Sequence, residues 1–422
     1  MKPRRKVLNN GLRVLAVPMK DNPTVTVFVL VEAGSHYETK ANNGISHFLE
    51  HMVFKGTPSR PSAAVVAHEL DSIGADNNAF TWYEFTGYYA KARKKHFKKI
   101  LDVVSDLYLH PLVPETEMEK EKGVIIEEIN MYEDQPMQGI YQLLDELMYG
   151  NQPAGWSILG TKRNIRNMRR DDFIAYRTKH YTAPTTTVVV AGDVSPGDVF
   201  REVGALFGDL PKQNVSKKPR VRCAQSKPQV KIKYKKSDQS HFTLGFHAPR
   251  VFDKSVPAVN VLAAVLGQGM SSRLFQLLRE ELGVCYYVRA GFEPHSDHGK
   301  FVIRAGVDNT RIEEVISAIL TELEKLKSDS VVERELRKAQ EFLVGKMLMG
   351  LESSDECALF YGEQETLKRR LKTSQEIARE IKAVRPQAIQ RAAKEIFHNK
   401  NMNLAVIGPF KDTRAFSKIL KP

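Results

Sequence analysis

The stretch TVTVFVLVEAGSHYETKANNGISHFLEHMVFKG, residues 24–56, decides the fold class. Residues 24–31 alternate in a strand pattern, and ISHFLEHMVFK at 45–55 follows with helical periodicity. At roughly 100° per residue, Ile45, Phe48, Leu49, Met52 and Val53 form one apolar stripe. Asn43 is the expected N-cap and Gly56 the expected stop. Working outward, 12–18 is a second strand pattern, and long helical patterns at 96–109 and 117–132 are joined by a short polar turn. The second half repeats this succession: strands at 230–234 and 242–246, an apolar helix at 258–266, and paired helices at 312–326 and 332–351. An offset of about 218 residues brings most elements into register. The expectation is α+β: two similar domains from an internal duplication, each a mostly antiparallel sheet packed with helices.

Between the halves, residues 212–236 hold ten Lys or Arg and no Asp or Glu, with Pro211, Pro219 and Pro228 in or beside the run. This stretch is the expected linker, giving a first domain over 1–210, a linker over 211–229 and a second domain over 230–422. The strand KIKYK at 231–235 is expected to keep one wet face. The chain's 422 residues are ample for two cores, and 42% hydrophobic residues exclude disorder. Its net charge of +13 invites a nucleic-acid partner. The basic run and the second cluster at 91–99 hold one aromatic each, Tyr234 and Phe97, not the interleaved set that stacks on bases, so no nucleic-acid role is expected. No run of about 18 apolar residues suggests a membrane span. Three scattered cysteines (Cys223, Cys285, Cys357) form no disulfide framework, and no apolar signal segment follows the basic first ten residues; a cytoplasmic location is expected.

Opposite the apolar stripe of 45–55, His47, Glu50 and His51 fall together. Two imidazoles one turn apart can share a metal ion, and a carboxylate between them can take a proton from water activated there without being a ligand. The order His-x-x-Glu-His is that of inverted zinc peptidases. Two histidines leave the site incomplete, and a carboxylate from another helix is the expected third ligand. Within EKEKGVIIEEINMY, residues 119–132, Glu121 and Glu128 share a face with Val124 and Ile125, and Glu127 is rotated about 100° away. A solvated Glu127–Glu128 pair is the alternative, and spacing alone leaves both open.

GISHFLEHMVFKGT (44–57), NNAFTWYEFTGYYAKA (77–92), EKEKGVIIEEINMYEDQP (119–136) and GQGMSSRLFQLLREELGVCYYV (267–288) together resemble the pitrilysin/insulinase family of inverzincins. The similar branch includes mitochondrial processing peptidase and its bacterial relatives. The resemblance spans nearly the whole chain. It implies one Zn²⁺ per chain on His47, His51 and Glu128, with Glu50 as general base and Glu121 steadying the site. Arg279 and Tyr286 match the family's pair that stabilises the oxyanion. Asn78, Ala79 and Phe80 match its substrate-binding edge strand, which accepts extended peptides through backbone bonds. At the 218 offset, Glu50, His51 and Glu128 meet Gln268, Gly269 and Lys346, so the second half carries no such ligands.

The implied function is a zinc endopeptidase cutting peptides or unfolded segments in an enclosed chamber. In the short-chain branch two chains build that chamber and the Arg-Tyr pair serves the partner's zinc; since this chain carries both sets, a homodimer is implied. The alternative is a non-catalytic structural or partner subunit of the same fold. Retention of His47, Glu50, His51 and Glu128 separates the two readings.

Overall fold

The computed structural model describes residues 2–213 and 217–420; residues 1, 214–216 and 421–422, three of them in the expected linker, lie outside the described residues. The chain forms two compact units, each built from three segments. The first comprises Met1–Asn130, Ser157–Pro219 and Leu348–Ser374; the second comprises Met131–Trp156, Arg220–Met347 and Gln375–Pro422.

In the first unit the strands are β1 (Arg4–Val7), β2 (Arg13–Pro18), β3 (Thr24–Val31), β4 (Asp76–Thr81), β5 (Thr86–Arg93) and β6 (Thr186–Gly192), arranged β1-β2-β6-β3-β5-β4. Only β2 and β6 run parallel. The second unit holds β7 (Gln229–Tyr234), β8 (Gln239–His247), β9 (Cys285–Pro294), β10 (Gly299–Asp308) and β11 (Asn403–Gly408), arranged β7-β11-β8-β10-β9, with only β7 and β11 parallel. Apart from β1 the two sheets have one topology, as a duplication requires. The fold is therefore two similar α+β domains.

Helices α1 (Ile45–Val53), α2 (Phe97–Leu109), α3 (Glu115–Asp134) and α4 (Pro136–Tyr149) come from the first half. Their counterparts are α5 (Val256–Gly267), α6 (Ile312–Ser328), α7 (Glu333–Gly350) and α8 (Ser354–Glu363). The last helix of each set packs in the other unit. Helix α4 buries Ile140, Leu144 and Met148 against Ala405 and Ile407 of β11 and Val302 of β10. Helix α8 lies on β3 and β6, where Gly362 passes so close that a Cβ there would meet Leu30 Cδ1 at 2.4 Å. Ser354 Oγ bonds Thr24 and Thr26 at 3.0 and 2.8 Å. The odd residues Val25, Val27, Val29 and Val31 face the core shared with α2. Covered on both faces, β3 needs a continuous apolar run rather than strict alternation.

One local expectation holds and one is corrected. On strand β7, Val230 and Ile232 pack on the core, while Lys231 and, just past the strand, Lys235 on the alternate face form exposed ion pairs with Glu146 and Asp134, so KIKYK keeps one wet face. On α3, Ile125 is buried but Val124 is 53% exposed, so Val124 does not share the inner face with Glu121.

Candidate active site

Helix α1 is positioned from below by its apolar stripe: Ile45, Phe48, Leu49, Met52 and Val53 are all fully buried. Phe48 meets Phe173 edge-on at 4.9 Å, and Ser46 Oγ bonds Tyr176 Oη at 2.7 Å. Its start is not capped by Asn43. Gly44 takes a left-handed conformation (φ 100°), and the carboxylate of Glu38, far back in the preceding loop, accepts from the N–H groups of Gly44 and Ser46 at 2.8 and 2.9 Å. Asn43 Nδ2 donates to the same carboxylate at 2.8 Å. A glutamate side chain reaches one methylene farther than an asparagine's, and its carboxylate suits the positive end of a helix. Burial nonetheless holds the Glu38 carboxyl above the usual range, against the lowering effect of these bonds. The helix ends at Val53, short of the expected Lys55.

Beside α1, α3 presents Glu121 and Glu128, while Glu127 is exposed. His47 Nε2 and His51 Nε2 lie 3.2 Å apart, and Glu128 Oε2 lies 3.5 Å from the first and 3.8 Å from the second. Donor atoms about 2.0–2.1 Å from a tetrahedral zinc ion stand about 3.3 Å from one another, so this two-nitrogen, one-oxygen triangle has the size and chemistry of a zinc ligand set. His51 Nδ1 bonds Glu121 Oε1 at 2.8 Å, and Lys55 Nζ holds Glu121 Oε2. With its Nδ1–H committed to a carboxylate, His51 turns the lone pair of Nε2 toward the triangle. Burial, reinforced by His51, pushes the His47 imidazolium down to about 3, so the ring is neutral as a ligand must be. The His47 Nδ1 atom has no hydrogen-bond partner among the described residues. Burial raises Glu128, with His51 opposing; burial also raises Glu121, but the bonds from Lys55 and His51 outweigh it and leave that carboxyl low.

Glu50 is not among the three converging ligands. Its Oε2 accepts from Thr81 Oγ1 at 2.6 Å. Burial raises its carboxyl above the usual range, although the Thr81 bond and His51 pull the other way. Thr81 ends β4, the edge strand of the first sheet. Trp82 N–H donates to Phe85 O at 2.9 Å, and strand alternation then turns the N–H and C=O of Phe80 and Asn78 toward β5. Those of Thr81, Ala79 and Asn77 face the open edge. Phe80 packs edge-on against Phe28 and Phe85 at 6.1 and 5.8 Å, and Asn78 Oδ1 accepts from Ala79 N at 2.9 Å.

Arg279 and Tyr286 come together in the second unit. Arg279 sits on the π-helical turn Gln276–Glu281, donates from Nη1 to the backbone oxygen of Tyr286, and stands 5.4 Å from the centre of the Tyr286 ring. Tyr286 is 73% exposed. The second-unit equivalent of α1 is α5, whose sequence VPAVNVLAAVLG has only apolar residues, Pro, Gly and Asn, with no titratable group.

Sequence reasoning missed Thr81, Glu38 and Lys55. Thr81 lies inside the quoted edge-strand motif, where its position shows only after α1 is seen packed on β4. Glu38 and Lys55 belong to no local pattern.

A duplicated α+β chain whose first half carries an inverted His-x-x-Glu-His helix beside an open sheet edge defines a class, and the comparisons agree with it. The insulinase profile (peptidase family M16) matches residues 13–162, and that of the peptidase M16 inactive domain matches 167–343. A Bacillus subtilis protein called "Uncharacterized zinc protease YmxG" is 34% identical over 409 residues, covering 96% of this chain and 98% of the relative. A Streptomyces coelicolor zinc protease is 31% identical over 418 residues, 98% of this chain and 91% of the relative. The crystal structure of a protease from Helicobacter pylori shares the fold with a TM-score of 0.91 at 24% identity, over 97% of this chain and 99% of that one. This chain belongs to the insulinase family, peptidase family M16. Among the described residues no helix is long and apolar enough to cross a membrane.

Proposed function

We propose that the chain is a zinc-dependent endopeptidase acting on peptides or unfolded polypeptide segments. The observation that carries this is the ligand triangle of His47, His51 and Glu128 with Glu50 beside it at the end of an open strand edge. His47 Nε2, His51 Nε2 and Glu128 Oε2 would hold one Zn²⁺ per chain. A bound zinc ion supplies Lewis acidity at the scissile carbonyl. An extended substrate adds to β4 through the outward N–H and C=O groups of Asn77 and Thr81 and the C=O of Ala79, whose own N–H is held by Asn78 Oδ1; such contacts read backbone and so tolerate varied side chains. Thr81 fixes one oxygen of Glu50, leaving Oε1 to take a proton from the attacking water and return it to the leaving amine as the C–N bond breaks. The half-buried, raised carboxyl of Glu50 suits both directions of that transfer. Arg279 and Tyr286 stabilise the oxyanion at the site of a second copy in a homodimer, a reading supported by their exposed pairing and by the resemblance.

Glu50→Gln tests this reading. The variant is expected to keep one zinc per chain by elemental analysis and to lose at least about 100-fold in cleavage of a diverse peptide mixture. Cleavage at the wild-type rate overturns it.

A further inference from the structure

Strand β9 pairs with β10 in steady register from Gly299–Pro294 to Gly306–Tyr287, and then the register slips: Val307 faces Cys285. Tyr286 is the extra residue, a β-bulge. A bulge leaves one residue unpaired and re-aims its side chain. The consequences are on view: Cys285 is buried, Tyr286 is 73% exposed, and the carbonyl of Tyr286 is taken by Arg279.

The other side of the bulge is locked as well. The ring of Tyr287 lies over Gly306, where a Cβ would meet its Cε1 at 2.6 Å and His241 Nδ1 at 3.3 Å. Tyr287 Oη bonds His241 Nδ1 at 3.0 Å, and the two rings stack at 6.0 Å. Only a glycine at 306 lets Tyr287 lie flat there, and only a ring lying flat there spans to β8. The strand is thus anchored one residue past the bulge by Tyr287 and at the bulge by Arg279, with Tyr286 displayed between them.

We propose that His241, Tyr287 and Gly306 are positioning residues that hold the bulge at which Tyr286 is presented to the substrate carbonyl. The proposal rests on the proposed oxyanion role of Tyr286. Gly306→Ala pushes the Tyr287 ring from its seat without touching Tyr286 or Arg279.

The test compares Gly306→Ala, Tyr286→Phe and the double variant in the full-length zinc-loaded protein. Tyr286→Phe is expected to lose about 100-fold in kcat, as removal of one oxyanion donor does. Gly306→Ala is expected to lose about 10-fold, mainly in kcat rather than KM, with no further loss in the Tyr286→Phe background. Equal losses in both backgrounds mean that Gly306 supports only the fold and overturn the proposal. A second readout needs neither activity nor metal: 3-fluorotyrosine labelling, with the Tyr286 signal assigned by its absence in Tyr286→Phe. Gly306→Ala and Tyr287→Leu are each expected to shift that ¹⁹F signal, and an unmoved signal in both overturns the proposal. If the signal shifts while Tyr286→Phe retains full activity, the positioning holds and the oxyanion role of Tyr286 fails.

Discussion

Thr81 Oγ1 donates a hydrogen bond of 2.6 Å to Glu50 Oε2, joining the last residue of the open edge strand to the proposed general base. Strand and base are therefore one mechanical unit, and a substrate laid on β4 is placed relative to Glu50 by a single side chain. Thr81→Val keeps the shape and removes the bond. Its expected effect is a loss of about 10-fold in kcat, with zinc content unchanged, because a base free to rotate is poorly aligned. Steady-state kinetics with elemental analysis checks this; an unchanged kcat removes Thr81 from the mechanism.

Glu121 acts through His51, whose Nδ1 it meets at 2.8 Å. Partners of this kind tune a ligand's basicity and orientation, and losing one costs about 10–100-fold in metal affinity. Glu121→Gln is expected to weaken zinc binding by that factor in competition with a chromophoric chelator. Glu127→Gln, on the exposed side of the helix, is expected to leave affinity unchanged. Equal effects would assign the ligand face wrongly.

Glu38 caps α1 from a distance. Glu38→Ala leaves the N–H groups of Gly44 and Ser46 without their acceptor and takes one of two acceptors from the Asn43 amide, which keeps Ser157 O at 2.9 Å. The expected cost is about 2–4 kcal/mol of unfolding free energy, since each buried unsatisfied donor costs about 1–3 kcal/mol and water recovers part of it. Urea denaturation measures it, and a change below about 0.5 kcal/mol would show that the loop donors find other acceptors.

Arg279 and Glu50 separate the two proposed contributions. Glu50→Gln chains and Arg279→Ala chains are each expected to be nearly inactive, and verified mixed dimers, in which one of the two sites is intact, to recover up to about half of wild-type activity, if Arg279 serves the partner's site. No recovery in mixed dimers confines Arg279 to its own chain or removes it from catalysis.

Acid sensitivity has identifiable sources in both units. Burial, aided by Lys179, pushes His180 from 6.5 down to about 4, and burial, aided by His298, does the same to His247. The unfolded chain binds more protons than the folded one between these values. Their contribution is complete above about pH 6.5 and is lost as pH falls toward about 4. His180→Phe is expected to make the fall of Tm across that window shallower; an unchanged slope would show that His180 does not titrate there.

Much of this protein was legible in its order of residues because the deciding signals are local. Strand patterns and the four-residue spacing of His47 and His51 depend only on backbone geometry, so β3, α1 and the shared face of the two imidazoles follow from residues 24–56 alone. The duplication showed because two copies must each bury one sheet, and apart from β1 the paired topologies agree strand for strand. On α3, helical periodicity separates Glu128 from the exposed Glu127 but places Val124 inside, where the structure turns it out.

Tertiary structure alone decided the rest. That α4 and α8 each pack in the other unit depends on which sheet offers the complementary apolar surface, and a helix pattern records its own face but not its partner. Glu38 reaching the start of α1, Thr81 reaching Glu50 and the bulge that turns Tyr286 outward are contacts between elements distant in sequence or register. Periodicity names the side chains that share a face; only packing brings two faces together, and a catalytic site is made where they meet.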